Sequence, residues 1–186
     1  MSERVEFTEK KSLVQEGNAM LVKTRKSLLR TLVIVTLVVL CGGVNIANAG
    51  NLGTGSYYLL VSDIYGSNAL KSGMYALYWL YEESNANATS YGYDAYVNMY
   101  YASSYAYSAC LYCYYGYSSL GSSNAYYAYI YAYYDYLYAS SAWPYMYYCY
   151  LGTDYARNAI DDAYYAQLYN GYAAYYAGLA SYNGAY

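Results

Sequence analysis

Thr153–Ala180 reads TDYARNAIDDAYYAQLYNGYAAYYAGLA, and the choice of helix or strand for the whole chain turns on this stretch. Thr153 is a residue type that caps helices. Asp154, Arg157, Asp161 and Asp162 fall on one side of a 3.6-residue period, and Ile160, Tyr164, Leu168, Tyr175 and Leu179 recur on another. That is the pattern of an amphipathic helix. Acids in its first turns suit the positive end of the helix dipole.

Upstream the pattern is harder to read, because tyrosine dominates. The 186-residue chain holds 38 Tyr against one Phe, two Trp and no His. Tyr favours strands, and Tyr127, Tyr129, Tyr131 and Tyr133 alternate strictly. Ala is also abundant here, while Val, Ile and Thr are scarce after residue 56. Ala is the best helix former and is depleted from strands. Tyr spacing also matches helical steps of three and four. Tyr93, Tyr96, Tyr100, Tyr107, Tyr114 and Tyr117 form one stripe, with Ser103 and Cys110 in its gaps. Tyr127, Tyr131, Tyr134 and Tyr138 form a second, and Tyr165, Tyr169, Tyr172 and Tyr176 a third.

The breaks complete the all-α expectation. Gly121-Ser122-Ser123-Asn124 reads as a helix stop followed by a cap. Pro144 kinks or ends a helix. Further breaks are expected near Asn85–Ser90 and Gly152–Thr153, and GNLGTGS (50–56) reads as a flexible start. The sequence therefore predicts helices near 57–83, 91–117, 124–142 and 154–180, with a short helical turn after Pro144. Joined by short breaks, they suggest an antiparallel helical array or four-helix bundle with Tyr/Ala-rich faces. A Tyr/Ala β-sheet is the structural alternative.

Residues 1–49 read differently from the rest. Lys23, Arg25, Lys26 and Arg30 precede the apolar run TLVIVTLVVL (31–40), and Ala47-Asn48-Ala49 places small residues before Gly50. This is the plan of a cleavable secretory signal peptide. The run is short of the ~20 residues that span a bilayer, so no stable membrane span is expected after cleavage. The mature part, 50–186, reads as a single Tyr-rich assembly domain. It carries two cations, Lys71 and Arg157, against eight acids, for a net charge of −6. That balance argues against nucleic acid as a partner, which requires basic patches.

Little in the chain suggests catalysis. The absence of His removes His-based triads and most catalytic zinc arrangements. Cys110-Leu111-Tyr112-Cys113 has no second C-x-x-C, and the chain shows no Gly-rich phosphate loop. No catalytic residue, metal or cofactor is expected. In an oxidising compartment Cys110, Cys113 and Cys149 are expected to form disulfides, and their odd number points to one bond between chains. Asn87-Ala88-Thr89 is a glycosylation sequon in an expected loop.

Tyr is a flat apolar ring with a polar tip and is enriched at interfaces. Together with a sparse charge complement, this predicts a secreted, extracellular or cell-surface structural protein, or a periplasmic one. Its partner is a second copy of itself, in a filament, sheath or matrix. The residues expected to mediate assembly are Tyr93, Tyr96, Tyr100, Tyr107, Tyr114, Tyr127, Tyr131, Tyr134, Tyr138, Tyr165, Tyr169, Tyr172 and Tyr176. Alternatives are a surface adhesin using exposed Tyr, and a filament subunit that carries charge through its Tyr array.

Overall fold

A computed structural model describes residues 50–183. The expected signal segment, 1–49, and Tyr186 lie outside the described residues. Helix α1 spans Gly50–Tyr81, α2 Asn85–Leu120, α3 Ser123–Met146 and α4 Asp154–Asn183, with a 3₁₀ turn at Tyr147–Leu151. The chain is nearly all helical over this range, and no strand occurs among the described residues. The Tyr/Ala sheet is thereby excluded there, and Ala prevails over the β preference of Tyr.

Connections are as short as the sequence suggested, but some boundaries move. Gly121 takes a left-handed conformation (φ 61°), and its N–H donates to the carbonyl of Tyr117. Ser122 Oγ accepts from Ala125 N at 3.2 Å. Thr153 Oγ1 accepts from Ala156 N at 3.4 Å. The first break, expected at Asn85–Ser90, lies instead at Glu82–Ser84, where Glu83 has φ 60°. Asn85–Ser90 is the first turn and a half of α2, and Thr89 Oγ1 donates back to the Asn85 carbonyl at 2.8 Å.

Two expectations fail for packing reasons. The flexible start GNLGTGS is helical, because Leu52 and Gly55 are buried against Gly116 and Cys113 of α2. Pro144 does not stop α3. The helix runs past it to Met146 and then tightens into the 3₁₀ turn, which Gly152 closes at φ 63°. A proline removes one backbone donor, and a tightened last turn is a common way to satisfy helix-end groups.

The buried face of each helix is built from small residues. On α1 it runs Leu52, Gly55, Leu59, Ser62, Gly66, Ala69, Gly73, Ala76. On α2 it runs Ala88, Gly92, Ala95, Met99, Ala102, Ala106, Ala109, Cys113, Gly116. On α3 it is Ala125, Ala128, Ala132, Asp135, Ala139, Ala142, Met146. On α4 it is Ala156, Ala159, Ala163, Ala166, Asn170, Ala173, Ala177, Ala180. Every seam advances in alternating steps of three and four. A mean repeat of 3.5 residues is that of helices that wind around one another with a left-handed twist.

Neighbouring helices run in opposite directions. Ser62 Oγ of α1 donates to the Ala102 carbonyl of α2 at 3.1 Å, while Gly55 faces Cys113. Ser103 of α2 meets Ser140 of α3 at 3.0 Å, and Tyr117 meets Tyr126. On α3 and α4, Asp135 meets Asn170 and Ser141 meets Asp162. The fourth helix returns to the first, where Ser67 donates to Gln167 Oε1 at 2.9 Å. The helices on the diagonals scarcely touch.

Small seam residues let the helices approach closely. A Cβ on Gly55 would lie 2.9 Å from Cys113 Sγ, and one on Gly92 would lie 3.0 Å from the Tyr147 carbonyl oxygen. Of the apolar face read for the last helix, only Ile160 is buried. The alanines beside it form the contact, and Tyr164, Leu168, Tyr175 and Leu179 are turned partly or wholly outward.

Candidate functional site: a polar layer within and a tyrosine net without

A polar layer divides the apolar interior. One core cluster is built around Met99, Met146 and Ile160, and another around Leu59, Cys113 and Ala173. Ser62 and Asp63 of α1, Asp135 of α3 and Asn170 of α4 lie between them along the seams. Asn170 Nδ2 donates to Asp135 Oδ2 at 2.8 Å and to the Leu59 carbonyl at 3.0 Å. The Oδ1 atoms of Asp63, Asp135 and Asn170 are buried and have no hydrogen-bond partner.

Among the described residues no base faces these acids; Lys71 and Arg157 are both exposed. Burial pushes the Asp63 carboxyl up to about 6 from an ordinary 3.8. Burial also raises Asp135 well above its ordinary value, with the bond from Asn170 opposing the rise and the Asp63 charge adding to it. Desolvation favours the neutral acid in both.

The tyrosines are on the outside. No Tyr among the described residues is buried, and Tyr57, Tyr155 and Tyr182 are more than 60% exposed. The position of the first stripe explains this. Tyr93, Tyr96, Tyr100, Tyr107 and Tyr114 each follow a seam residue by one position, and one residue turns a helix by about 100°. Ser103 and Cys110, in the gaps of that stripe, are buried at the margin of the seam.

The second and third stripes meet each other. Tyr127 and Tyr131 of α3 contact Tyr176 of α4 at ring-centroid distances of 5.2 and 5.5 Å. Tyr131 also reaches Tyr169 and Tyr172. Tyr134 and Tyr138 contact Tyr169 at 5.2 and 5.4 Å, and Tyr138 contacts Tyr165 at 5.5 Å. The eight rings interlock as a ladder over the α3–α4 groove. Burial first, then the neighbouring phenols of Tyr138, Tyr134, Tyr131 and Tyr165, raise the Tyr169 phenol above its usual value.

The first stripe is tied in elsewhere. Tyr96 and Tyr100 contact Trp143 at 5.4 and 5.7 Å. Tyr114 contacts Tyr129 at 5.3 Å, and Tyr107 pairs with Tyr136 at 5.3 Å. Tyr93 is 58% exposed. Offset and edge-on ring pairs at these separations contribute ~0.5–1.5 kcal/mol each beyond the area they cover.

The disulfide expectation is corrected. Cys110, Cys113 and Cys149 are buried free thiols. Cys110 and Cys113 lie in one core cluster and Cys149 in another. Burial pushes Cys113 and Cys149 up to about 12 and Cys110 up to about 11. Thiols so protonated are poor nucleophiles. Asn87 lies exposed in the first turn of α2, not in a loop.

Among the described residues no three His, Cys, Asp or Glu side chains gather as metal ligands. No described helix is long and apolar enough to cross a membrane. No protein-family model matches the chain, and neither a curated protein nor a solved structure matches it.

Proposed function

We propose that the chain is an exported structural protein whose folded unit, an antiparallel four-helix bundle, self-assembles into an extracellular or cell-surface filament, sheath or matrix. The observation that carries this reading is the inversion of side-chain size: alanine and glycine fill the seams, and every described tyrosine is at least partly exposed. Exposed apolar surface on this scale marks interaction surfaces. Few charges interrupt it, and two copies meeting through ring-covered faces bury aromatic area while the phenol tips keep hydrogen-bond partners.

Sedimentation velocity and negative-stain electron microscopy of residues 50–186 test the proposal, with circular dichroism on the same sample. Helical protein that grows with concentration into ordered assemblies is the expected result. A helical chain that sediments as one copy at every concentration would refute it.

A further inference from the structure

We propose that the tyrosine net conducts oxidising equivalents from ring to ring around the outside of one folded chain. This goes beyond assembly, because a single copy contains the whole path.

The path is continuous. Trp143 contacts Tyr100, Tyr100 contacts Tyr101, and Tyr101 contacts Tyr65 of α1 at 5.2 Å. Tyr65 stacks on Tyr105 at 5.6 Å, and Tyr105 leads through Tyr58 to Tyr112. From Tyr112 the contacts pass to Tyr115, Tyr114, Tyr129 and Tyr117. Tyr117 meets Tyr126 at 5.4 Å, and Tyr126 meets Tyr127 at 5.8 Å. Tyr127 opens onto the α3–α4 ladder. No centroid step exceeds 6.5 Å.

The shape of the net makes the idea sharp. Among the described ring contacts, Tyr126 alone joins the α1–α2 half to the α3–α4 ladder. The Tyr107–Tyr136 pair stands outside the net.

Each step balances. An external one-electron oxidant takes an electron from a phenol, whose O–H proton leaves to water, giving a neutral tyrosyl radical. The neighbouring phenol then supplies one electron and one proton to that radical, so the first ring is restored and the radical has moved one place. An external one-electron reductant with a proton from water ends the sequence. Partial exposure of the rings supplies the proton exchange, and ring contact supplies electronic overlap.

The test uses the full chain at a dilution where it sediments as one copy, so its outcome is independent of assembly. Cys110, Cys113 and Cys149 are buried, so in a chain carrying Cys41→Ser, Ser104→Cys, an exposed position beside Tyr105, takes a tethered ruthenium polypyridyl label selectively. Flash excitation of the label with a cobalt(III) ammine quencher, which takes one electron and leaves ruthenium(III), is carried out with a nitroso spin trap present and followed by peptide mapping of the adducts. The expected result is trapped radical on Tyr165 and Tyr172, lost in Tyr126→Phe and retained in Tyr107→Phe. Circular dichroism confirms that Tyr126→Phe keeps the fold. Adducts confined to rings beside the label, or ladder adducts that survive Tyr126→Phe, would overturn the proposal.

Discussion

Asp63 and Asp135 are buried, and among the described residues no base meets them, so the stability depends on pH in an unusual sense. The folded chain holds the Asp63 proton to about pH 6, whereas an unfolded Asp releases it near 3.8. Between those values the folded state binds more protons, so stability falls as pH rises. A shift of about two units corresponds to about 3 kcal/mol, fully lost above pH 6. Thermal melts are expected to drop from pH 4 to pH 7, and Asp63→Asn to flatten that drop. Burial raises the Asp135 carboxyl as well, so its proton adds to the same decline, and Asp135→Asn is expected to remove that part. A melting temperature that holds constant or rises over this range would contradict the account. The cysteines give a second check at this scale. With thiols raised to about 11–12, Cys110, Cys113 and Cys149 are expected to ignore a disulfide reagent at pH 8 until denaturant is added. Neither feature was legible from the sequence read through its tyrosines, where Asp63 and Asp135 were only two of eight acids. The signal was present in register. Asp135 continues the steps of Ala128, Ala132, Ala139 and Ala142, and Asn170 those of Ala163, Ala166, Ala173 and Ala177.

At the scale of the helix, the seam decides what can be changed. Gly→Ala in a helix interior ordinarily gains up to ~1 kcal/mol from propensity. Gly55→Ala and Gly92→Ala are expected to go the other way. The new methyl of the first would press on Cys113 Sγ and its backbone N, and that of the second on the Tyr147 carbonyl. Overpacking costs ~1–3 kcal/mol, so chemical denaturation is expected to show a net loss of about 1–2 kcal/mol for each. A gain in either variant would show that the helices have room to part. Helix type and the turn chemistry at Gly121-Ser122 and Thr153 were readable, because capping is local. Pro144 and GNLGTGS were misread, because tertiary contacts of Met146, Cys149, Leu52 and Gly55 outweigh local preference. The Tyr stripes had the right period and stand one position away from the seam, an ambiguity that period alone does not resolve when Tyr and Ala alternate this densely.

For the whole molecule, the α3–α4 ladder is where folding and the proposed association can be tested apart. Replacing Tyr134, Tyr165 and Tyr172, all about 40–46% exposed, by Glu places charge on that outer face while leaving every seam residue in place. Circular dichroism is expected to stay helical, and sedimentation to shift toward the single copy. Loss of helix together with loss of association would mean that the rings hold the fold itself, not the contact between copies. The arrangement also has a geometric consequence. Alanine seams set how near the helix axes lie, and the axes carry the outer rings. The interior therefore acts as a ruler for the exterior: widening one seam by a single bulky residue would draw the opposing columns of rings apart along the whole groove. Damage to the hidden face of this protein would first be visible on its surface, as a mesh pulled out of gauge.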